Sequence, residues 1–153
     1  MSPEKFTIKL QEAFHASQSV ATRHGQQELK PAHLLLALLE QEGGIAVPLF
    51  EKAALNPSAA QALKSGVESV IARLPKVSGG SAGLYLSNEF RELMTKAEDE
   101  QKKLKDEYLS VEHILLALFK TKTELSDVLK QAGLTYDTVS KALTAVRGSQ
   151  RVV

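Results

Sequence analysis

Four histidines, His15, His24, His33 and His113, are the side chains of this 153-residue chain best suited to binding a metal or moving a proton near neutral pH. A zinc site needs about four convergent ligands. The chain has no cysteine, and no histidine pair stands in the His-Glu-x-x-His spacing that puts two ligands on one helix face. No serine lies in a Gly-x-Ser-x-Gly turn, and nothing marks a base or an oxyanion site beside any of them. Gly79-Gly80 lacks the following lysine and helix of a phosphate-cradling loop. These residues predict no catalytic centre, no metal site and no ATP binding in this chain. His33 and His113 read as structural histidines near helix starts, and Gly79-Gly80 reads as a linker.

The two histidines nevertheless locate the element around which the chain is organised. His33 lies in Pro31-Ala32-His33-Leu34-Leu35-Leu36-Ala37-Leu38-Leu39, and His113 lies in Val111-Glu112-His113-Ile114-Leu115-Leu116-Ala117-Leu118-Phe119, 80 positions later and without a gap. Each copy is apolar nearly all round, as a helix buried on most sides must be. Neither approaches the roughly 20 apolar residues needed to cross a bilayer. Two copies of one helical unit sharing a core is the simplest reading.

The flanking residues stay in phase. Thr7 is a candidate N-cap, followed at helical spacing by Leu10, Ala13, Phe14, Ser17, Ala21 and His24, with Gly25 as a stop. Ser87 starts the equivalent helix, with Phe90, Leu93, Met94, Ala97, Gln101 and Leu104 behind it; Met94 is expected in the core rather than in a groove. Pro31 fits the first position of the second helix, where its missing N–H has no intrahelical partner, and Ser110 is the matching cap. Gly43-Gly44 closes that helix in the first copy. A third helix is expected over Ala46 to Ala54 and again over Leu125 to Ala132, where the offset falls to 79. That alignment sets Ala54 opposite Gly133, so a left-handed helix stop at Ala54 would cost about 1 kcal/mol relative to glycine. A fourth helix is expected from near Asn56-Pro57 to Leu74, with Val67, Val70, Ile71 and Leu74 on one face. Its counterpart runs from about Thr135 to Arg147, with Val139, Leu143 and Val146 on one face.

The predicted architecture is therefore all-α: two pseudo-symmetric four-helix repeats, about eight helices, packed into one globular domain over residues 1–147. Repeat one covers about 1–74, a glycine- and serine-rich connector 75–86, and repeat two about 87–147. Residues 148–153 lack helical pattern and read as the start of a linker.

Composition removes several function classes. A formal net charge of +1 supplies no footprint for nucleic acid and no polybasic membrane signal. The absence of cysteine fits a reducing compartment, and the N-terminus has neither the pattern of a signal peptide nor of a membrane span. The run from Glu98 to Glu107 reads as a solvated face with acid-first pairs Glu98–Lys102 and Asp99–Lys103, each worth about 0.2–0.5 kcal/mol.

Two units with a His-Leu-Leu-Leu-Ala-Leu-Leu-type second helix resemble the Clp N-terminal repeat domain. Glu112-His113-Ile114-Leu115-Leu116-Ala117-Leu118 is close to the family's pattern, while the first copy has Ala32 in place of the acid. The junctions Arg73-Leu74-Pro75-Lys76-Val77 and Val146-Arg147-Gly148-Ser149-Gln150-Arg151-Val152 are similar to those of the ClpB disaggregase branch. The resemblance covers essentially the whole chain. It implies a cytoplasmic stress-response parent, a homo-hexameric AAA+ disaggregase using ATP and magnesium in other modules and working with the DnaK chaperone system. This chain would be its substrate-recognition domain, not itself an enzyme.

The same resemblance implies a groove between the repeats that takes unfolded or aggregated polypeptide, with Thr7, Asp106 and Glu112 as its polar groups. Each residue also has a plainer reading. Thr7 is first a helix cap. Asp106 closes the charged run and reads as solvated. Glu112 lies in the first turn of a helix, where the dipole favours an acid by about 0.3–1 kcal/mol. Two other roles stay open: a docking site for a folded adaptor, and a steric regulator of the ring entrance.

Overall fold

A computed structural model describes residues 3–77 and 83–147. After a short 3-10 turn at Pro3–Lys5 the chain forms α1 (Ile8–Arg23), β1 (Glu28–Leu29), α2 (Pro31–Glu40), α3 (Ala46–Ala54) and α4 (Ala59–Arg73). The second repeat supplies β2 (Tyr85–Leu86), α5 (Asn88–Leu104), α6 (Val111–Ala117), α7 (Ser126–Gln131) and α8 (Tyr136–Arg147). Eight α-helices in two equivalent sets of four are what the periodicity requires. No helix among the described residues is long and apolar enough to cross a membrane.

Local chemistry sets the helix starts. Thr7 is extended at φ −63°, ψ 159°, and its Oγ1 accepts the Leu10 N–H at 3.3 Å. Ser87 does the same for Phe90 at 3.0 Å. Each central helix uses its histidine as the cap partner. His33 Nδ1 accepts the Lys30 N–H at 2.9 Å, and His113 Nδ1 accepts the Ser110 N–H at 2.8 Å. A side chain three residues inside the helix thus reaches back to satisfy the backbone donor at its mouth, the role a glutamate plays in the ordinary capping box.

The two central helices are buried as expected: every residue from Pro31 to Leu39 is inside. α2 packs on α1 and α4, and α6 packs on α5 and α8. The repeats do not simply abut. α3 of repeat one packs against α8 of repeat two, and α4 packs against α7, so each repeat lends a helix to the other's wall. At the α4–α7 approach a β-carbon added to Gly66 would sit 2.7 Å from Val128 Cγ1. One continuous core of residues from both repeats results, including Met94.

Two small features that helical periodicity does not reveal tie the repeats further. β1 pairs in parallel with β2, Glu28 opposite Tyr85 and Leu29 opposite Leu86. Phe6 makes the equivalent bridge with Leu109. In both places the extended residues before a repeat's first helix pair with the loop before the other repeat's central helix.

Several expectations are corrected. The left-handed residue after α3 is Leu55 (φ 53°, ψ 38°), not Ala54, which ends the helix. The first copy has one residue more than the alignment allowed before its stop, so Leu55 rather than Ala54 corresponds to Gly133 (φ 79°). Likewise Gly25 (φ 66°) is matched by Lys105 (φ 59°), a left-handed stop without glycine. Val146 is exposed, whereas Val139, Ala142 and Leu143 of α8 are buried; the last turn of α8 is anchored instead by Arg147. The charged run is not wholly solvated. The inward stripe of α5, Phe90, Leu93, Met94 and Ala97, continues onto Glu100, which is buried and accepts the Tyr136 hydroxyl at 2.6 Å. Lys103 lies 3.4 Å from Glu100 and 3.0 Å from the Tyr136 hydroxyl. The connector's centre, 78–82, and the linker segment 148–153 lie outside the described residues. The connector's edges are held, with the Val77 N–H on Gly25 O and the Tyr85 N–H on Gln27 O.

Candidate functional site

The bridge at Phe6 brings the starts of α1 and α6 together. The Thr7 N–H donates to Leu109 O at 2.9 Å, and the Leu109 N–H donates to Lys5 O at 2.8 Å. Thr7, the cap of α1, and Glu112, in the first turn of α6, consequently line one cleft of about 220 Å³. Its remaining wall is Lys9, Ser110, Val111 and the α2–α3 turn with Gln41, Gly43, Gly44 and Ile45. Gln41 holds that turn against α1, its Nε2 donating to Lys9 O at 2.8 Å, while Lys9 Nζ donates to Glu42 O at 2.9 Å. The cleft therefore joins residues of both repeats, with a threonine on one side and a carboxylate on the other.

Asp106 does not line this cleft. Its side chain is fully buried, which overturns the solvated reading of the end of the charged run. One carboxylate oxygen, Oδ2, accepts from His113 Nε2 at 2.7 Å, and Oδ1 accepts from Arg147 Nη2. Because His113 Nδ1 is an acceptor, Nε2 carries the ring proton. Arg147 Nη1 lies 3.6 Å from Glu112 Oε2, so one guanidinium spans the buried acid and the cleft acid. Burial pushes the Glu112 carboxyl above the usual carboxylate range; Arg147 pulls it down and Asp106 pushes it up. Burial lowers the His113 imidazole below its ordinary value, against the opposing bond to Asp106.

The three expected residues are thus split. Thr7 and Glu112 share the cleft, and Asp106 stands behind Glu112 and reaches it through Arg147. Sequence reasoning missed Arg147, Lys9 and Gln41 as parts of this arrangement. A signal for the His113–Asp106 pair was present: 80 positions earlier, His33 Nε2 bonds Gln26 Oε1 at 2.7 Å, with the same seven-residue separation.

The pseudo-symmetric seam has a different content. Eighty positions away, Lys9 becomes Glu89, Ser110 becomes Lys30, Glu112 becomes Ala32, and Gly44 becomes Glu124. There Lys30 Nζ lies 2.6 Å from Glu89 and 4.0 Å from Glu124, and Glu124 Oε2 accepts the Ala32 N–H at 2.8 Å. Burial works against the Lys30 charge, but the bond to Glu89 and the charges of Glu124 and Glu28 hold its ammonium above the ordinary value. This seam gathers two carboxylates around one ammonium, where the other places Thr7 and Glu112 on a cleft. A larger cleft of about 720 Å³ between α1 and α2 holds charges of both signs, Lys9, Glu12, Arg23, Glu40 and Glu42, and none of the three expected residues.

Comparison with known proteins places this architecture. The Clp repeat (R) N-terminal domain profile matches residues 5–132. The chain is 40% identical over 155 residues to the chaperone protein ClpB of Bacillus cereus, covering 99% of this chain and 18% of that protein. It is 38% identical over 152 residues to the ClpB of Porphyromonas gingivalis, covering 99% of this chain and 17% of that protein. It therefore spans less than a fifth of these relatives' length. The crystal structure of the Hsp104 N-terminal domain from Candida albicans superposes with a TM-score of 0.83 at 24% identity, covering 97% of this chain and 95% of that one, a likeness of fold. With the family profile across most of its length and the whole chain aligned to ClpB chaperones, this chain belongs to the Clp N-terminal repeat domain family and is homologous to the ClpB N-terminal region.

Proposed function

We propose that this domain captures unfolded or aggregated polypeptide in the cleft between its repeats and delivers it to the ATPase ring of a ClpB-type disaggregase. In this reading the domain proper is residues 1–147, and the segment from 148 leads toward ATPase modules that use ATP and magnesium. The ring is a homo-hexamer in the cytoplasm, working with the DnaK system. The observation that carries the reading is the joint placement of Thr7 and Glu112 across one cleft, whereas the equivalent positions of the other seam hold an ion-pair cluster of Lys30, Glu89 and Glu124. An extended peptide laid there meets apolar atoms of Val111 and Ile45, and finds a hydroxyl and a carboxylate for its backbone N–H groups. Asp106 acts from behind the wall rather than by touching the peptide.

The test is an amide-resolved NMR titration of the 153-residue chain with reduced, carboxymethylated α-lactalbumin. Shifts should cluster on Thr7, Gly43, Gly44 and Glu112, and should weaken in Thr7→Val and Glu112→Gln with the fold intact. Saturable binding elsewhere, or equal binding by both variants, refutes the assignment. Capture of one folded partner at unit stoichiometry, with no response to unfolded protein, would instead favour adaptor docking.

A further inference from the structure

The cleft acid does not stand alone: its charge is shared with a residue at the far end of the fold. Arg147 closes α8 and is ninety per cent buried as a side chain, with Asp106 on one prong and Glu112 on the other. Asp106 is in turn fixed by His113, whose other nitrogen caps α6, the helix that carries Glu112. The result is a closed circuit, α6 to His113 to Asp106 to Arg147 to Glu112 and back to α6.

We infer that Arg147 is a positioning residue for peptide capture: its guanidinium, braced by buried Asp106, holds the Glu112 carboxylate in place at the cleft. This rests on the cleft proposed above. The charged groups around Glu112 are Arg147 on α8, Asp106 in the loop before α6, Lys9 across the cleft, and neutral His113 one residue on. Among the described residues, Arg147 is the basic group paired with Glu112. A planar two-pronged donor suits this place because it can serve two carboxylates at once, which a lysine ammonium does less well. The arrangement also makes the C-terminal end of α8 a point of control. Displacing the last turn removes the bracing cation and leaves Glu112 beside Asp106 without its paired guanidinium.

The experiment uses the 153-residue chain as wild type, Arg147→Gln, Arg147→Lys, Glu112→Gln and the Arg147→Gln/Glu112→Gln double variant. Binding is read by anisotropy of fluorescein-labelled, carboxymethylated α-lactalbumin, and Glu112 titration by carboxyl carbon NMR. Arg147→Gln should weaken binding by roughly tenfold, the free energy of about one pH unit in the Glu112 titration. Arg147→Lys should recover part of that loss. In the Glu112→Gln background the same substitution should change affinity by less than about twofold, because residues acting through one another are not additive. Equal losses in both backgrounds would assign Arg147 a general packing role and overturn the inference. The Glu112 midpoint should rise in Arg147→Gln, and an unmoved midpoint overturns the inference even where the probe fails to bind wild type. Absence of wild-type binding together with a raised midpoint would sink the cleft's function while leaving the positioning contact standing.

Discussion

His33 provides the sharpest quantitative test of how this fold is built. It is completely buried, with Nδ1 accepting from the Lys30 backbone and Nε2 donating to the neutral amide oxygen of Gln26. Burial, and then the charges of His24 and Lys30, lower its pKa from 6.5 to about 4. The unfolded chain would take up a proton on this ring as pH falls through 6.5, and the folded chain would not until about 4. The stabilisation is therefore complete above pH 6.5 and is lost progressively between 6.5 and 4. At about 1.4 kcal/mol per pH unit the full loss is about 3 kcal/mol, a large share of a typical domain's 5–15 kcal/mol. Urea unfolding of wild type and His33→Asn from pH 7.5 to 4.5 measures it. Asparagine keeps an acceptor on Cγ for the Lys30 N–H but cannot titrate. The variant should be less stable at pH 7.5, and the gap should narrow by about 2 kcal/mol on acidification to pH 5. His113 is shifted in the same direction and remains in both proteins, so it cancels. A His33 ring resonance that titrates at 6.5 or above, or two stability curves that run parallel over this range, would refute the reasoning.

Two further substitutions test backbone and packing. Leu55 occupies a left-handed conformation and is 91% exposed, so Leu55→Gly removes strain without creating a cavity. It should raise stability by about 1 kcal/mol, seen as a higher urea midpoint, and a fall would contradict the assigned conformation. Gly66→Ala would ordinarily gain close to 1 kcal/mol in a helix. Here the new methyl meets Val128 Cγ1 at 2.7 Å, so overpacking of about 1–3 kcal/mol should outweigh that gain and lower the thermal midpoint. Gly66→Ala with Val128→Ala should recover the loss.

What the sequence determined by itself is the part governed by short range. Caps bind backbone groups three residues away, as Thr7 does for Leu10 and Ser87 for Phe90, so residue type and spacing suffice to place them. The duplication is equally visible, because burial imposes the same apolar period on Pro31–Leu39 and on the helix beginning at Val111. Tertiary structure decided which repeat each outer helix joins. An amphipathic stripe specifies that a face is buried but not against what, so the packing of α3 onto α8 and of α7 onto α4 has no signature in periodicity. The polar groups divide the same way. Asp106, at the end of a charged run, looks like a solvated acid until Arg147, 41 residues on, turns it into a buried brace behind Glu112. Lys30 looks like an ordinary surface cation until Glu89, 59 residues away, and Glu124 gather around its ammonium at one seam, while the other seam brings Thr7 and Glu112 to the cleft. Partners at such separations are chosen by how the chain's two halves meet, and a carboxylate's neighbours, rather than its type, decide whether it is solvated, bracing or exposed to a ligand.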